Sequence, residues 1–319
     1  MTGQGDAACC CVARTGGNAR PQRPPAGMPH GRSVDRTVEA ISIPGGRSFI
    51  GTSRPLIEAD GEGPVERLRL NAYKIEAEPV TNAHFADFTS QTGYQTDAER
   101  YGWSFVFSPA SGDGERVEAA TWWVRRDGAC WHAPNGPGSS WEAIAEHPVV
   151  HISFNDASAF AAWAGGRLPT EAEWEHAARG GLDDPRYPWG DREPDDVDFT
   201  PCNIFQGSFP HGDTGKDGYT GTSPVRAFAP NGYGLHDMAG NVWEWCSDAF
   251  RVRSMRKAAR ARNSLAAREM QRVLKGGSFL CHRAYCWRYR IAARNGSAPD
   301  TGAAHIGFRL AYDGRTPMP

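Results

Sequence analysis

The sequence lacks three features that would assign it to a common class of protein. No run of about 18 apolar residues is present to span a bilayer as a helix. Net charge is only −2, so no global field attracts nucleic acid or an anionic membrane. Eight cysteines in 319 residues are too few for a disulfide scaffold, and no signal peptide is evident. We therefore expect a cytoplasmic monomer without nucleic-acid or membrane partners.

The sequence is rich in residues that make loops and residues that anchor them. It contains 37 Gly, 23 Pro and 11 Trp, a composition that favours an irregular chain held by buried indoles. Residues 1–36 have little aromatic content and are predicted to be a disordered tail, in which the run Cys9, Cys10 and Cys11 receives no function. Residues 37–319 are predicted to form one α+β domain with little regular secondary structure.

Local signals predict a first hairpin and three helices. Two strand-like runs, 38–44 and 49–51, flank Gly45-Gly46 and indicate a hairpin. Thr81 is a predicted N-cap for a helix over 82–92, Ser153 precedes a second helix that stops at Gly165-Gly166, and Thr170 with Glu173 makes a capping box for a third. A last strand is predicted over 307–312.

One segment is strongly basic. Residues 251–272 carry eight basic side chains and a single acid, Glu269. Such a stretch is typical of a solvated surface loop or helix, and a partner-binding patch is the alternative. No function is assigned to it from the sequence.

Two cysteines, Cys281 and Cys286, lie five positions apart in KGGSFLCHRAYCWRYR (275–290). In an extended strand they would be about 16 Å apart, and only a turn over 282–285 would bring them together. The sulfurs could then form a disulfide or hold one soft metal ion, for which Cu(I) suits a thiolate pair whereas zinc needs four ligands. Two independent structural cysteines are the alternative that spacing alone favours.

The same string resembles the active-site segment of the formylglycine-generating enzymes, the sulfatase-modifying factor family, and in particular its bacterial members. Further matching strings occur in the family's order, namely GRLPTEAEWEHAARGG (166–181), YPWGD (187–191), NIFQGSFP (203–210), NGYGLHDMAGNVWEW (231–245) and HIGFRLAYD (305–313). The resemblance covers residues 41–313 and implies a loop-rich fold related to the C-type-lectin-like topology.

The resemblance also implies a reaction and the residues that serve it. Cys281 and Cys286 match the catalytic pair that binds Cu(I), with His282 beside the first ligand. Ser278, Tyr285 and Trp243 match residues that line a pocket for molecular oxygen. The implied substrate is the cysteine of a Cys-x-Pro-x-Arg segment in an unfolded sulfatase, which becomes formylglycine.

Two structural calcium sites are implied as well, because mixed carboxylate, amide and carbonyl oxygens suit this cation. The matching ligands are Asn203, the Ile204 carbonyl, Asp217 and the Tyr219 carbonyl in the first site, and Asp237, the carbonyls of Gly240 and Val242, and Glu244 in the second. An EF-hand over 213–224 is rejected, since Gly215 occupies a ligand position and Pro224 replaces the bidentate Glu. Trp103 stands where some relatives carry Asp, so the details of peptide contact differ here.

Two alternative functions are compatible with the predicted fold. Iron-dependent sulfoxide synthases carry a His-x-x-x-His-x-Glu motif, and the nearest match here, from His147 to Ser153, has Ser for Glu and contains the helix-breaking Pro148. We interpret His147 and His151 as structural. A paralogue that binds without catalysis is the second rival, and the presence of both Cys281 and Cys286 counts against it.

Overall fold

The computed structural model describes residues 38–109, 114–118 and 120–314. The predicted tail and its three cysteines lie outside the described residues. The strands are β1 Ala40–Ile43, β2 Gly46–Ile50, β3 Glu66–Leu70, β4 Tyr73–Glu76, β5 Trp103–Phe107, β6 Glu115–Val117, β7 Ala120–Asp127, β8 Gly207–Ser208, β9 Gly212–Asp213, β10 Trp243–Ala249, β11 Arg272–Lys275, β12 Asn295–Ser297, β13 Ile306–Gly307 and β14 Ala311–Asp313. The helices are α1 Asn82–Thr92, α2 Asp97–Tyr101, α3 Phe154–Trp163, α4 Glu171–Ala178 and α5 Lys257–Arg268.

The helices begin where polar side chains cap them. Thr81 accepts a hydrogen bond from the His84 N–H at the start of α1, and Ser153 and Thr170 form capping boxes at the starts of α3 and α4. All three predicted helices are present. The short helix α2 was not predicted, although its Thr96 and Glu99 also form a capping box.

The predicted first hairpin is wrong. β1 pairs with β4, placing Ile41 opposite Ile75, whereas β2 pairs with β3 in a different sheet. Between them Gly45 crosses closely over the backbone of Ala72, where a Cβ would come within 2.5 Å of the Ala72 nitrogen. Gly45-Gly46 therefore marks a crossover between two sheets, because close backbone contact requires glycine as much as a tight turn does.

The predicted last strand is interrupted. β13 and β14 belong to different sheets, and between them Arg309 is fully buried. Its guanidinium forms a bidentate ion pair with Glu244, with Nε and Nη2 each 2.7 Å from a carboxylate oxygen. The chain leaves the strand geometry where this charged side chain joins the core.

A four-stranded sheet, in the order β12-β11-β10-β13, positions the two segments of greatest chemical interest. Glu244 near the start of β10 lies opposite Lys275 at the end of β11. Trp243 and the Gly276-Gly277-Ser278 turn therefore lie at the same end of this sheet. Among the described residues, no helix has the length and hydropathy needed to cross a membrane.

Candidate functional site

The segment that follows β11 folds into a compact turn at the protein surface. The carbonyl oxygen of His282 accepts hydrogen bonds from the N–H groups of Tyr285, Cys286 and Trp287, at 2.9–3.0 Å. Arg283 and Ala284 at the tip are exposed. This is the turn that the spacing of the two cysteines requires if they are to act together.

Both cysteines lie under this turn. Cys281 is 0% exposed and Cys286 is 2% exposed, and both belong to the same hydrophobic core cluster. The Ser278 N–H donates to the Cys281 Sγ at 3.4 Å, and the Cys281 carbonyl oxygen accepts from the Phe205 N–H at 3.1 Å. The segment thus holds two buried sulfur atoms directly beneath a surface loop.

Of the residues matched to the oxygen pocket, Ser278 contacts Cys281, Tyr285 lies on the turn, and Trp243 belongs to the same large core cluster. Ser278 is fully buried, and its hydroxyl oxygen accepts a hydrogen bond from the Leu280 N–H at 3.3 Å. Trp243 is fully buried in the cluster that contains both cysteines. Its indole Nε1–H is buried and has no hydrogen-bond acceptor within the described ranges. The indole N–H groups of Trp123, Trp131 and Trp163 are in the same state, and such a donor is available to a small polar ligand.

Beside the turn lies a half-buried aromatic surface that the sequence reasoning did not identify. Tyr285 stacks on Phe209 with ring centroids 4.1 Å apart and meets the edge of Trp122 at 5.0 Å. His282 packs against Phe205, and its Nδ1 accepts from the Ala284 N–H. The alternation of β7 was the available signal, because Trp123 points into the core and leaves Trp122 half-exposed.

Asp217 lies beside two other residues of the first predicted calcium site. The Asp217 carboxylate accepts hydrogen bonds from the N–H groups of Ile204, at 3.1 Å, and Tyr219, at 3.0 Å, and Asn203 is the neighbour of Ile204. Burial raises the pKa of Asp217 to about 6, and the charge of Asp213 adds to this. Burial thus disfavours the ionised form of this carboxylate, and a bound cation would offset that cost.

The second set converges only in part. Asp237, Gly240 and Val242 lie on one loop, and Gly240 contacts the Asn203 carbonyl so closely that a Cβ would come within 2.1 Å of it. Both oxygens of Glu244 are instead engaged by Arg309, and Oε2 also accepts from the Trp174 indole N–H at 2.8 Å. Glu244 already has a positive partner, so a calcium ion at this position does not fit unless that ion pair opens.

Comparison with known proteins identifies the family to which this arrangement belongs. Residues 25–314 match the model of the sulfatase-modifying factor enzyme 1-like domain. The formylglycine-generating enzyme of Thermomonospora curvata is 54% identical over 86% of this chain and 93% of its own. The chain belongs to the formylglycine-generating enzyme family. An inactive Cα-formylglycine-generating enzyme 2 from Bos taurus is also similar, 42% identical over 88% of this chain and 91% of its own.

The fold agrees with that of a solved structure. PvdO from Pseudomonas aeruginosa superimposes with a TM-score of 0.60 at 23% identity, covering 86% of this chain and 94% of PvdO. The predicted fold class, a loop-rich mixture of helices and small sheets of the formylglycine-generating-enzyme type, is confirmed.

In this member of the formylglycine-generating enzyme family, segment 275–290, which resembles the family's active-site segment, is anchored by two of its arginines. Arg288 pairs with Asp60 through Nε at 2.6 Å, and Arg290 pairs with the buried Glu62 through Nη1 at 2.8 Å. Burial opposes ionisation of Glu62, but the hydrogen bond and charge of Arg290 outweigh it, so the pKa of Glu62 falls below its ordinary value. No local sequence signal predicts these pairs, because the partners are 228 positions apart.

The two histidines that resemble the iron motif of the sulfoxide synthases have other partners in this chain. His151 is fully buried between the Ser104 hydroxyl and the Pro134 carbonyl, each 2.8 Å away, and His147 contacts the Thr222 hydroxyl. Among the described residues, no group of three or more His, Cys, Asp or Glu side chains could hold a metal ion. The two histidines have the structural environment that we expected.

Proposed function

We propose that this protein is a copper-dependent oxidase that uses molecular oxygen to convert the cysteine of a Cys-x-Pro-x-Arg segment, in an unfolded sulfatase, to formylglycine. One observation carries the proposal. In a chain of this family, Cys281 and Cys286 are both buried in one core cluster and flank an exposed turn.

The two cysteines suit a soft monovalent metal. Their thiolates would hold Cu(I), which supplies the means to react with oxygen once the substrate thiolate joins them. The Ser278 N–H already donates to the Cys281 Sγ and therefore stabilises negative charge on that sulfur. The set fits this metal because it offers two sulfur donors and a backbone dipole directed at one of them.

The walls of the site control what reaches the sulfurs. The apolar core cluster around the cysteines excludes bulk water, and the Trp243 Nε1–H remains available to orient a small polar molecule. Oxidation of the substrate would remove one hydrogen from its Cβ and one from its thiol, with both electrons and both protons passing to molecular oxygen. Addition of water to the resulting thioaldehyde would then release hydrogen sulfide and leave the aldehyde. Tyr285 lies between this interior and the surface, in the aromatic stack with Phe209.

The aromatic surface formed by Trp122, Phe209 and Tyr285 supports recognition of an extended peptide. Its rings are half-buried and lie next to the turn that covers both sulfurs. An unfolded substrate segment can place its proline and its backbone against such a surface, because it is not yet part of a folded domain. Trp103, which replaces an acidic residue of some relatives, is covered by the Arg125 guanidinium at 4.4 Å.

A peptide assay tests the proposal. Copper-loaded protein is incubated with oxygen and a peptide containing Leu-Cys-Thr-Pro-Ser-Arg, and mass spectrometry follows the loss of about 18 mass units that conversion of cysteine to formylglycine produces. A matched peptide with Ser in place of Cys is the control. No shift in the cysteine peptide with copper and oxygen present would favour the second candidate, a catalytically inactive relative such as the one in Bos taurus.

A further inference from the structure

A cavity of about 810 Å³ lies away from the two cysteines, between two segments that the proposed reaction does not use. One wall comes from residues 52–65, and the other comes from 252–262, at the start of the basic stretch singled out in the sequence. Its volume falls within the range of about 300–1,000 Å³ that is typical of small-molecule sites. The cavity is thus large enough for a ligand of its own.

The lining combines an apolar floor with a cluster of positive charge. Pro55, Val65 and Ala259 contribute apolar surface. Three arginines, Arg253, Arg256 and Arg262, line it together with one acidic residue, Glu58, and Arg253 is also paired with Glu171 at 3.7 Å. The excess of cations within one concave surface favours an anion.

Two of these arginines are placed to receive a ligand. Arg253 is 12% exposed: its Nη1 lies 3.7 Å from the Glu171 carboxylate and its Nη2 donates to the Gly61 carbonyl, whereas its Nε–H is buried without a hydrogen-bond acceptor among the residues described. Arg256, at the rim, forms an ion pair with Glu58 in which both side chains are largely exposed. An exposed pair of this kind is weak and opens at little cost when a better anion arrives.

We propose that this cavity binds a small amphiphilic anion, with its phosphate, sulfonate or carboxylate group on Arg253 and Arg256 and its apolar body against Pro55, Val65 and Ala259. The first turn of α5 contributes Ala258 and Ala259 to the wall and contains no acidic residue that would repel the ligand. The size of the cavity favours a small molecule over a macromolecular surface.

The same site acts on the active-site segment through one loop. Residues 55–65 form a wall of the cavity, and within them Asp60 and Glu62 hold Arg288 and Arg290. Glu62 also accepts hydrogen bonds from the N–H groups of Leu56 and Ile57, so the loop moves as a unit. A ligand that orders this loop also orders residues 282–290; only the effect on catalysis rests on the proposed function.

Binding is tested with 8-anilinonaphthalene-1-sulfonate, an anion with an apolar body, by fluorescence titration of the full chain. We expect one site whose affinity falls as salt is added. Arg256→Glu should weaken binding of the probe about tenfold. The substitution removes an attractive charge and adds a repulsive one, so its effect on affinity is roughly twice that of losing one exposed ion pair. Ala258→Trp should weaken binding several-fold by occupying part of the cavity. Arg260→Glu makes the same charge change on the same helix, outside the cavity, and should change affinity less than about twofold.

Two results would overturn the site. Equal weakening by Arg256→Glu and Arg260→Glu would show a general electrostatic field, and full affinity in Ala258→Trp would place the probe elsewhere. Thermal unfolding of each variant establishes that it is folded. Because no step of this titration uses copper, oxygen or a sulfatase peptide, failure here is separate from failure of the peptide assay.

The coupling is tested by hydrogen exchange with the probe bound. We expect slower exchange in both 55–65 and 282–290. Protection confined to 55–65 would overturn the coupling and leave the binding site. Arg288→Ala, which removes one of the two links, should reduce the protection of 282–290 while probe affinity stays within about twofold.

Discussion

Two sulfur atoms determine most of the proposed chemistry at the scale of single residues. We expect Cys281→Ser and Cys286→Ser each to weaken Cu(I) binding by more than about 100-fold, because a hydroxyl is a poor ligand for a soft ion. Competition with a colorimetric Cu(I) chelator measures this. Cys130→Ser is the matched control, since Cys130 is buried in a separate small cluster with Ala98 and Ala133. Equal copper affinity in all three variants would refute the assigned ligands.

His151 makes stability depend on pH. Its burial lowers the pKa to about 4, even though the hydrogen bond to Pro134 acts in the opposite direction. The unfolded chain therefore takes up a proton near pH 6.5, before the folded state does, and the stability that the neutral ring contributes is lost as the pH falls from there toward 4. We expect the free energy of unfolding in urea to drop by about 2 kcal/mol between pH 7 and pH 5 from this residue.

The variant His151→Asn isolates the contribution of His151 to the pH dependence of stability. His151 has a φ of 62°, a left-handed conformation that Asn tolerates better than most residues. His151→Asn should therefore flatten the pH dependence between pH 7 and pH 5, whereas His211→Asn at an exposed position should follow the wild type. An unchanged slope in His151→Asn would assign the effect to other groups.

At the scale of elements, signals contained within a few residues predicted structure well, and signals that depend on distant partners did not. Thr81, Ser153 and Thr170 marked three helix starts because a cap and the N–H that donates to it lie within one turn. Gly45-Gly46 was misinterpreted as a hairpin turn, because its role depends on Ala72, which is remote in sequence. The resemblance located the cysteine segment, but it gave no indication of Asp60 and Glu62 as its anchors.

The anchoring loop should contribute strongly to stability. We expect Arg290→Met to destabilise the fold by about 3–5 kcal/mol, because it leaves the Glu62 carboxylate buried without its partner. Arg54→Met is the matched control: Arg54 and Asp191 are 45% and 59% exposed, and loss of that pair should cost less than about 1 kcal/mol. Urea unfolding at pH 7 measures both, and equal losses would contradict the role assigned to burial.

The same pair has a pH signature. Since the pKa of folded Glu62 lies below its ordinary value, its contribution is complete above about pH 4.3 and is lost as the pH falls through the folded pKa. Arg290→Met should remove this acid-side loss. A variant that lost stability below pH 4.3 as the wild type does would show that other carboxylates dominate there.

At the scale of the whole molecule, long irregular segments connect many small sheets, and a bound cation could hold such segments together. We expect calcium at about 100 times its dissociation constant to raise the free energy of unfolding by about 2.7 kcal/mol, as follows for one site that only the folded state provides. Asp217→Ala should abolish this increment, because its carboxylate joins Ile204 and Tyr219. Thermal unfolding with calcium and with a chelator measures it, and an equal increment in Asp217→Ala would refute the first ligand set.

The ion pairs between 60–62 and 288–290 have a consequence for how the protein is made. In a nascent chain the cysteine turn cannot be anchored until Arg288 and Arg290 have been synthesised, because their partners Asp60 and Glu62 lie 228 positions earlier. Arg309, the partner of Glu244, is synthesised later still. Folding of such distant contacts is slow. A ribosome-bound fragment that ends before residue 309 would therefore carry both cysteines without the scaffold that aligns them.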